Sequence, residues 1–60
     1  MNKGRLIKEK IIEVLTLHGE LNITRIVKET GFSFPTIVKY LEELVKEGLV
    51  EERRYGRLRI

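Results

Sequence analysis

Three glycines, at positions 19, 31 and 48, cut this sequence into stretches of helical periodicity, and each stands where a helix would close. Glycine tolerates the left-handed backbone that commonly ends a helix. Ahead of Gly19, Ile7, Ile11, Val14 and Leu15 recur at i, i+4, i+7 and i+8, one apolar stripe of a helix over 3–18. Leu6 and Leu17 flank that stripe on one side and Ile12 on the other, so the apolar face is wider than one small core needs. Either this helix is central and touched on several sides, or Leu6, Ile12 and Leu17 meet a second subunit.

The remaining segments follow from similar signals. Asn22 offers an N-cap, since its side chain accepts an orphan backbone N–H, and Leu21 before it can form a very short strand. Ile23, Ile26 and Val27 give a helix over 23–30 its inward face, although a full capping box would need Glu or Gln where Arg25 stands. After Gly31 and Phe32, Ser33 is a second N-cap and Pro35 fits the first turn. Ile37, Leu41 and Leu44, with Val45 beside them, make the stripe of a helix over 34–47, and Lys39, Glu42 and Lys46 point away from it. Beyond Gly48, two short runs straddle Tyr55–Gly56. The second, over 57–60, alternates polar and apolar as a half-buried strand does, and glycine in a short connection marks a hairpin turn. The expected architecture is α+β, mainly α: three helices followed by a two-stranded β-hairpin, in a single domain over residues 1–60.

Size and composition limit the function. A chain of 60 residues buries only about 60% of the surface its unfolded form exposes, which leaves little room for a catalytic pocket of roughly 300 Å³ or more. With 42% apolar and 35% charged residues the chain is globular rather than disordered. The absence of cysteine excludes a disulfide scaffold, a thiolate metal site and a cysteine nucleophile, and one histidine cannot build a histidine-rich metal site. Glu42 and Glu43 diverge on a helix, Glu51 and Glu52 face opposite sides of a strand, and nothing forms a nucleophile–base–orienter set. No enzyme activity and no cofactor are expected. No apolar run approaches the roughly 18 residues of a membrane span and no signal-peptide pattern opens the chain, so a soluble, cytoplasmic protein is expected. Abundant Glu, Lys and Arg with a single Met fit a thermophile's composition.

The charge is unevenly placed. Twelve Lys and Arg against nine Asp and Glu leave +3, a modest surplus. Four of the cations, Arg53, Arg54, Arg57 and Arg59, lie in the last twelve residues beside only two acids, which makes a local basic tip. A polyanionic partner and a solvated tail both account for it.

Two short helices joined by a tight glycine-containing turn make a helix-turn-helix, and a preceding helix with a following basic hairpin makes it winged. The run Gly31-x-Ser33-x-x-Thr36-Ile37-x-x-x-Leu41-x-x-Leu44-x-x-x-Gly48-Leu49-Val50 resembles prokaryotic winged-helix regulators. It is most similar to the arsenic-repressor-like and multiple-antibiotic-resistance-repressor-like groups, in small archaeal-type versions. The resemblance covers nearly the whole chain. It implies binding of double-stranded DNA as a homodimer, to repress or activate transcription on the nucleoid. Two departures stand out. Without cysteine, the metal sensing of many arsenic-repressor-like proteins is not expected. The sequence stops at Ile60, right after the wing, so no small-molecule effector pocket is expected.

The residues argue for the same partner without the family. The major groove admits an α-helix, and in a helix-turn-helix the second helix enters it by its N-terminal end. At that end Ser33 and Thr36 can hydrogen-bond phosphate or base edges, or simply cap the helix. Phe34 and Pro35 can meet thymine methyl groups, or Phe34 can fold back on the core as a staple. Lys39 reaches a phosphate or a guanine edge. In the wing over 49–60, Arg53, Arg54, Tyr55 and Arg57 are the candidates, since arginine clamps phosphate bidentately or enters a narrow minor groove. Arg59 is plain strand surface. Thr24, Arg25 and Lys28, with Lys3 and Arg5, are further backbone-contact candidates, and His18 suits the C-terminal dipole of its helix. The leading expectation is a sequence-specific DNA-binding transcriptional regulator. The alternatives are a winged-helix protein–protein interaction module, favoured by the wide apolar face of the first helix, and a nonspecific architectural DNA-binding protein.

Overall fold

Backbone hydrogen bonding follows the punctuation in the sequence. The computed structural model describes residues 3–60. It contains α1 over Lys3–His18, β1 over Leu21–Asn22, α2 over Ile23–Thr30, α3 over Phe34–Lys46, β2 over Glu51–Glu52 and β3 over Arg57–Arg59. Met1 and Asn2, part of the expected 1–60 unit, lie outside the described residues. Asn22 Oδ1 accepts the Arg25 N–H at 2.8 Å and opens α2. Gly31, with φ 79°, closes it by donating its N–H to the Val27 carbonyl. Glu47 caps α3, which ends one residue earlier than expected.

The buried face of each element converges on one core. Ile11 and Leu15 come from α1, Ile26 from α2, Ile37, Leu41 and Leu44 from α3, Val50 from the approach to β2, and Leu58 from β3. Among the described residues no polar or charged side chain is buried. Each of these apolar core side chains contributes about 1.5–3 kcal/mol on leaving water. Phe32, rather than Phe34, packs against this core. It precedes the Ser33 cap, the position from which a hydrophobic staple reaches the first turn. Phe34 is left exposed.

The wing is broader than the expected two-stranded hairpin. The strands run antiparallel in the order β1–β3–β2, with Leu21 opposite Leu58, Asn22 opposite Arg57, Glu52 opposite Leu58 and Glu51 opposite Arg59. Asn22 must be extended to cap α2, and its ψ of 168° lets the chain lie along the free edge of β3. At the tip, Arg57 donates its N–H to the Arg54 carbonyl, and both intervening residues have positive φ, 61° at Tyr55 and 69° at Gly56. That is the backbone pattern of a type I′ turn, whose twist matches the strands it joins.

Ion pairs bind the helices to each other. Lys8 of α1 reaches Glu43 of α3 and its cap Glu47 at 3.0 and 2.7 Å. Glu29 of α2 accepts from Arg25 at 2.9 Å and lies 3.4 Å from His18 Nε2. A second close approach depends on Gly4: a Cβ there would stand 2.8 Å from Tyr40 Cε1, so the glycine lets the α3 ring lie against α1.

These pairs set the pH dependence. Hydrogen bonds from Arg25 to Glu29 and from Arg53 to Glu51 hold both carboxyls below their ordinary 4.5, while Glu47 and Glu43 hold Lys8 above its ordinary 10.5. A lowered acid contributes stability that is present above its unfolded value and lost as pH falls through the folded one; a raised base contributes stability present below its unfolded value and lost as pH rises through the folded one. Urea midpoints measured against pH should therefore fall less steeply on the acid side in Glu29→Gln and Glu51→Gln, and less steeply on the alkaline side in Lys8→Met. The changes will be small because Glu51 is exposed and Glu29 and Lys8 remain in contact with solvent, which screens all three pairs.

Candidate nucleic-acid interface

Burial of Ile37, Leu41 and Leu44 turns the opposite side of α3 outward. That side carries Pro35, Lys39, Glu42 and Lys46, spaced i, i+4, i+7 and i+11, and all four are exposed. Ser33 and Thr36 are joined to each other: the Ser33 hydroxyl donates to Thr36 Oγ1 at 2.8 Å and accepts the Thr36 N–H at 3.3 Å. Ser33 is thereby committed as a cap, whereas the Thr36 hydroxyl keeps its own proton to donate. Lys39 Nζ sits 5.1 Å from the centroid of the Tyr40 ring.

A groove of about 420 Å³ separates α3 from the sheet, lined by Ile23, Val38, Leu41, Val45 and Leu58, with Glu42, Lys46 and Glu52 at its rim. The sheet thus flanks the C-terminal half of α3, while Ser33, Phe34 and Thr36 lie at the other end of the helix. Arg57 is not grouped with them. Together with Asn22, Thr24, Arg25 and Lys28 it lines a polar recess of about 290 Å³ at the start of α2.

A helix pair joined through Gly31, the second helix outward along one side and a small sheet at its flank, is the expected geometry of the resemblance. The family model described as winged helix-turn-helix matches residues 3–59. The chain belongs to the winged helix-turn-helix family. No curated protein and no solved structure matched it. A winged helix-turn-helix domain suggests DNA binding and is typically a non-catalytic module. Among the described residues no helix is long and apolar enough to cross a membrane, and no cluster of His, Cys, Asp or Glu is arranged to hold a metal.

The wing of this winged helix is less basic than its arginine count. Glu51 accepts from Arg53 at 3.0 Å and lies 3.4 Å from Arg59, while Arg57 lies 3.6 Å from Glu20. Arg54 has no carboxylate partner among the described residues, and neither do Lys28, Lys39 and Lys46. The unneutralised cations therefore sit on α2, the outer side of α3 and the wing tip, with Lys3 at the start of α1. Further along α1, Arg5, Lys8 and Lys10 are each paired to a glutamate. Periodicity in the sequence pointed to Lys39, and composition gathered Arg54 with the other arginines of the wing without separating it from Arg57. The pairing of Arg53 and Arg57 was not visible there, because sheet register decides which acid each one meets. Of the dimer candidates, Leu6 and Leu17 are exposed at 48% and 78%. Ile12 is half-buried and lies against the core, beside Leu44 and Leu49 in a separate recess.

Tyr55 is the only non-glycine residue with positive φ among those described, and it is 95% exposed. A left-handed backbone costs an ordinary residue about 1–2 kcal/mol, and nothing in the fold touches the ring in return. Asparagine accepts that conformation readily. Tyr55→Asn should raise stability by about 1 kcal/mol, or about 4–8 °C in Tm for so small a domain, while weakening duplex DNA binding. Thermal unfolding and a binding titration on the same sample check both halves.

Proposed function

We propose that this winged helix is a sequence-specific, dimeric transcriptional regulator of double-stranded DNA, working as one domain in the cytoplasm on the nucleoid. Lys28, Lys39, Lys46 and Arg54 carry the reading: they are the cations left without carboxylate partners on α2, α3 and the wing tip. In this reading α3 enters the major groove. Thr36 and Lys39 meet phosphate or base edges there, Phe34 and Pro35 approach thymine methyls, and Ser33 holds the helix start. Arg54 and Tyr55 reach the backbone or the minor groove, with Arg53 and Arg57 released from glutamate as phosphate approaches. Four phosphate contacts per protomer, eight in the dimer, give a slope of about −7 for log affinity against log salt. Arg54→Ala, which removes one contact from each protomer, should reduce its magnitude by about 2, and Lys39→Ala should cost about 1–3 kcal/mol per half-site on a selected site if the lysine reads a base. Duplex binding indifferent to salt and to both substitutions would remove the reading.

Specificity is supported by an acid. Glu42 lies between Lys39 and Lys46 on the exposed side of α3, where a carboxylate is repelled by phosphate but can accept from a cytosine N4 amino group. Glu42→Ala should raise affinity for random duplex and flatten the base preference found by selection from a random library. An architectural protein would show no such preference to lose. The same acid, with Glu52 across the apolar groove, is the observation that favours a protein–protein module instead. A stoichiometric protein partner with no measurable duplex affinity would establish that second reading.

A further inference from the structure

The outer side of α1 carries a stripe for which the fold supplies no partner. Leu6, Lys10, Glu13 and Leu17 recur at i, i+4, i+7 and i+11, the alternating four-and-three spacing of a coiled-coil seam. Ile11, Val14 and Leu15 face the core instead. Leu6 and Leu17 are among the exposed large apolar residues, and the ion pair of Lys10 and Glu13, at 3.3 Å, is with each other.

Read backwards, Leu–Lys–Glu–Leu is its own complement. An antiparallel pair of α1 helices, with a twofold axis between positions 11 and 12, sets Leu6 against the partner's Leu17 and Lys10 against the partner's Glu13. The symmetry repeats each contact. A parallel pair sets lysine on lysine and glutamate on glutamate, and a one-turn slip of the antiparallel pair drives leucine onto charge. Polar residues within a seam select orientation and register in this way. We propose that α1 is the self-association surface of this protein, and that its occupant is a second copy docked antiparallel along Leu6, Lys10, Glu13 and Leu17. The proposal rests on the dimeric part of the reading above and supplies its interface. Ile12 is outside the seam, on the flank that meets Leu44 and Leu49. So few side chains per protomer place the interface at the small end of the size range, and the dimer is therefore concentration-dependent.

Sedimentation equilibrium without DNA, across the micromolar to submillimolar range, tests it. The wild type should show a monomer–dimer equilibrium. Leu17→Lys should weaken it by about tenfold or more, and Lys10→Glu likewise, since it opposes two pairs of glutamates. The double swap Lys10→Glu with Glu13→Lys should return the association constant to within about threefold of the wild type. Far-UV circular dichroism confirms that these surface variants remain folded. A wild type monomeric throughout, a dimer indifferent to Leu17→Lys, or a double swap that recovers nothing would overturn the proposal. Loss of the DNA-binding reading has a separate signature: an intact dimer with no salt-dependent duplex affinity.

Discussion

One shared core decides what is left over for function. Each helix commits a single stripe to it, and the sheet adds Leu58 through the middle of β3. A chain of this size cannot build a second core, so chemistry must be done on the outside by whichever residues the stripes turn away. For α3 the outcome is forced: once positions 37, 41 and 44 are inside, positions 35, 39, 42 and 46 are outside. The outward side of α3 is the geometric remainder of the packing.

Electrostatics sorts the rest. A net charge of +3 says little about where a polyanion would settle. Pairing says more. The fold neutralises cations where elements meet, with Lys8 bridging α1 to α3 and Arg57 bridging the sheet to the α1–β1 turn. It leaves cations without a carboxylate on α2, α3 and the wing tip, and at Lys3 where α1 begins. Glu42 and Glu52 stand with Lys46 on the groove between α3 and the sheet, so the surface there is patterned rather than uniformly positive. A patterned surface suits discrimination between ligands better than bulk attraction does.

The helices were legible because their signals are local. Asn22, Ser33, Pro35 and the closing glycines act within a few residues of themselves, and the apolar stripes need only a count along the chain. The very short strand at Leu21 was legible, but its pairing was not: Leu21 and Asn22 carry no alternation of their own and join the sheet because Leu58 and Arg57, far along the sequence, present an edge. Side-chain pairing in the wing has the same non-local origin. Sequence weighed Phe34 as the staple, although the residue preceding the Ser33 cap is Phe32, which local capping rules would have favoured. The outward side of α3 was readable from periodicity. Tyr55's left-handed backbone was not, because the turn geometry comes from strand twist rather than from the tyrosine.

The strand β1 has a mechanical consequence. Leu21 and Asn22 are bonded to β3 and run without a break into α2, so the root of the wing and the helix pair move as one lever. At the apex only two backbone bonds close the loop, from the Arg57 N–H to the Arg54 carbonyl and, at 2.6 Å, from the Arg53 N–H to the Arg57 carbonyl. A push on Tyr55 flexes only that apex, whereas a torque applied lower down must rotate α2 and, through the Gly31 joint, re-aim α3.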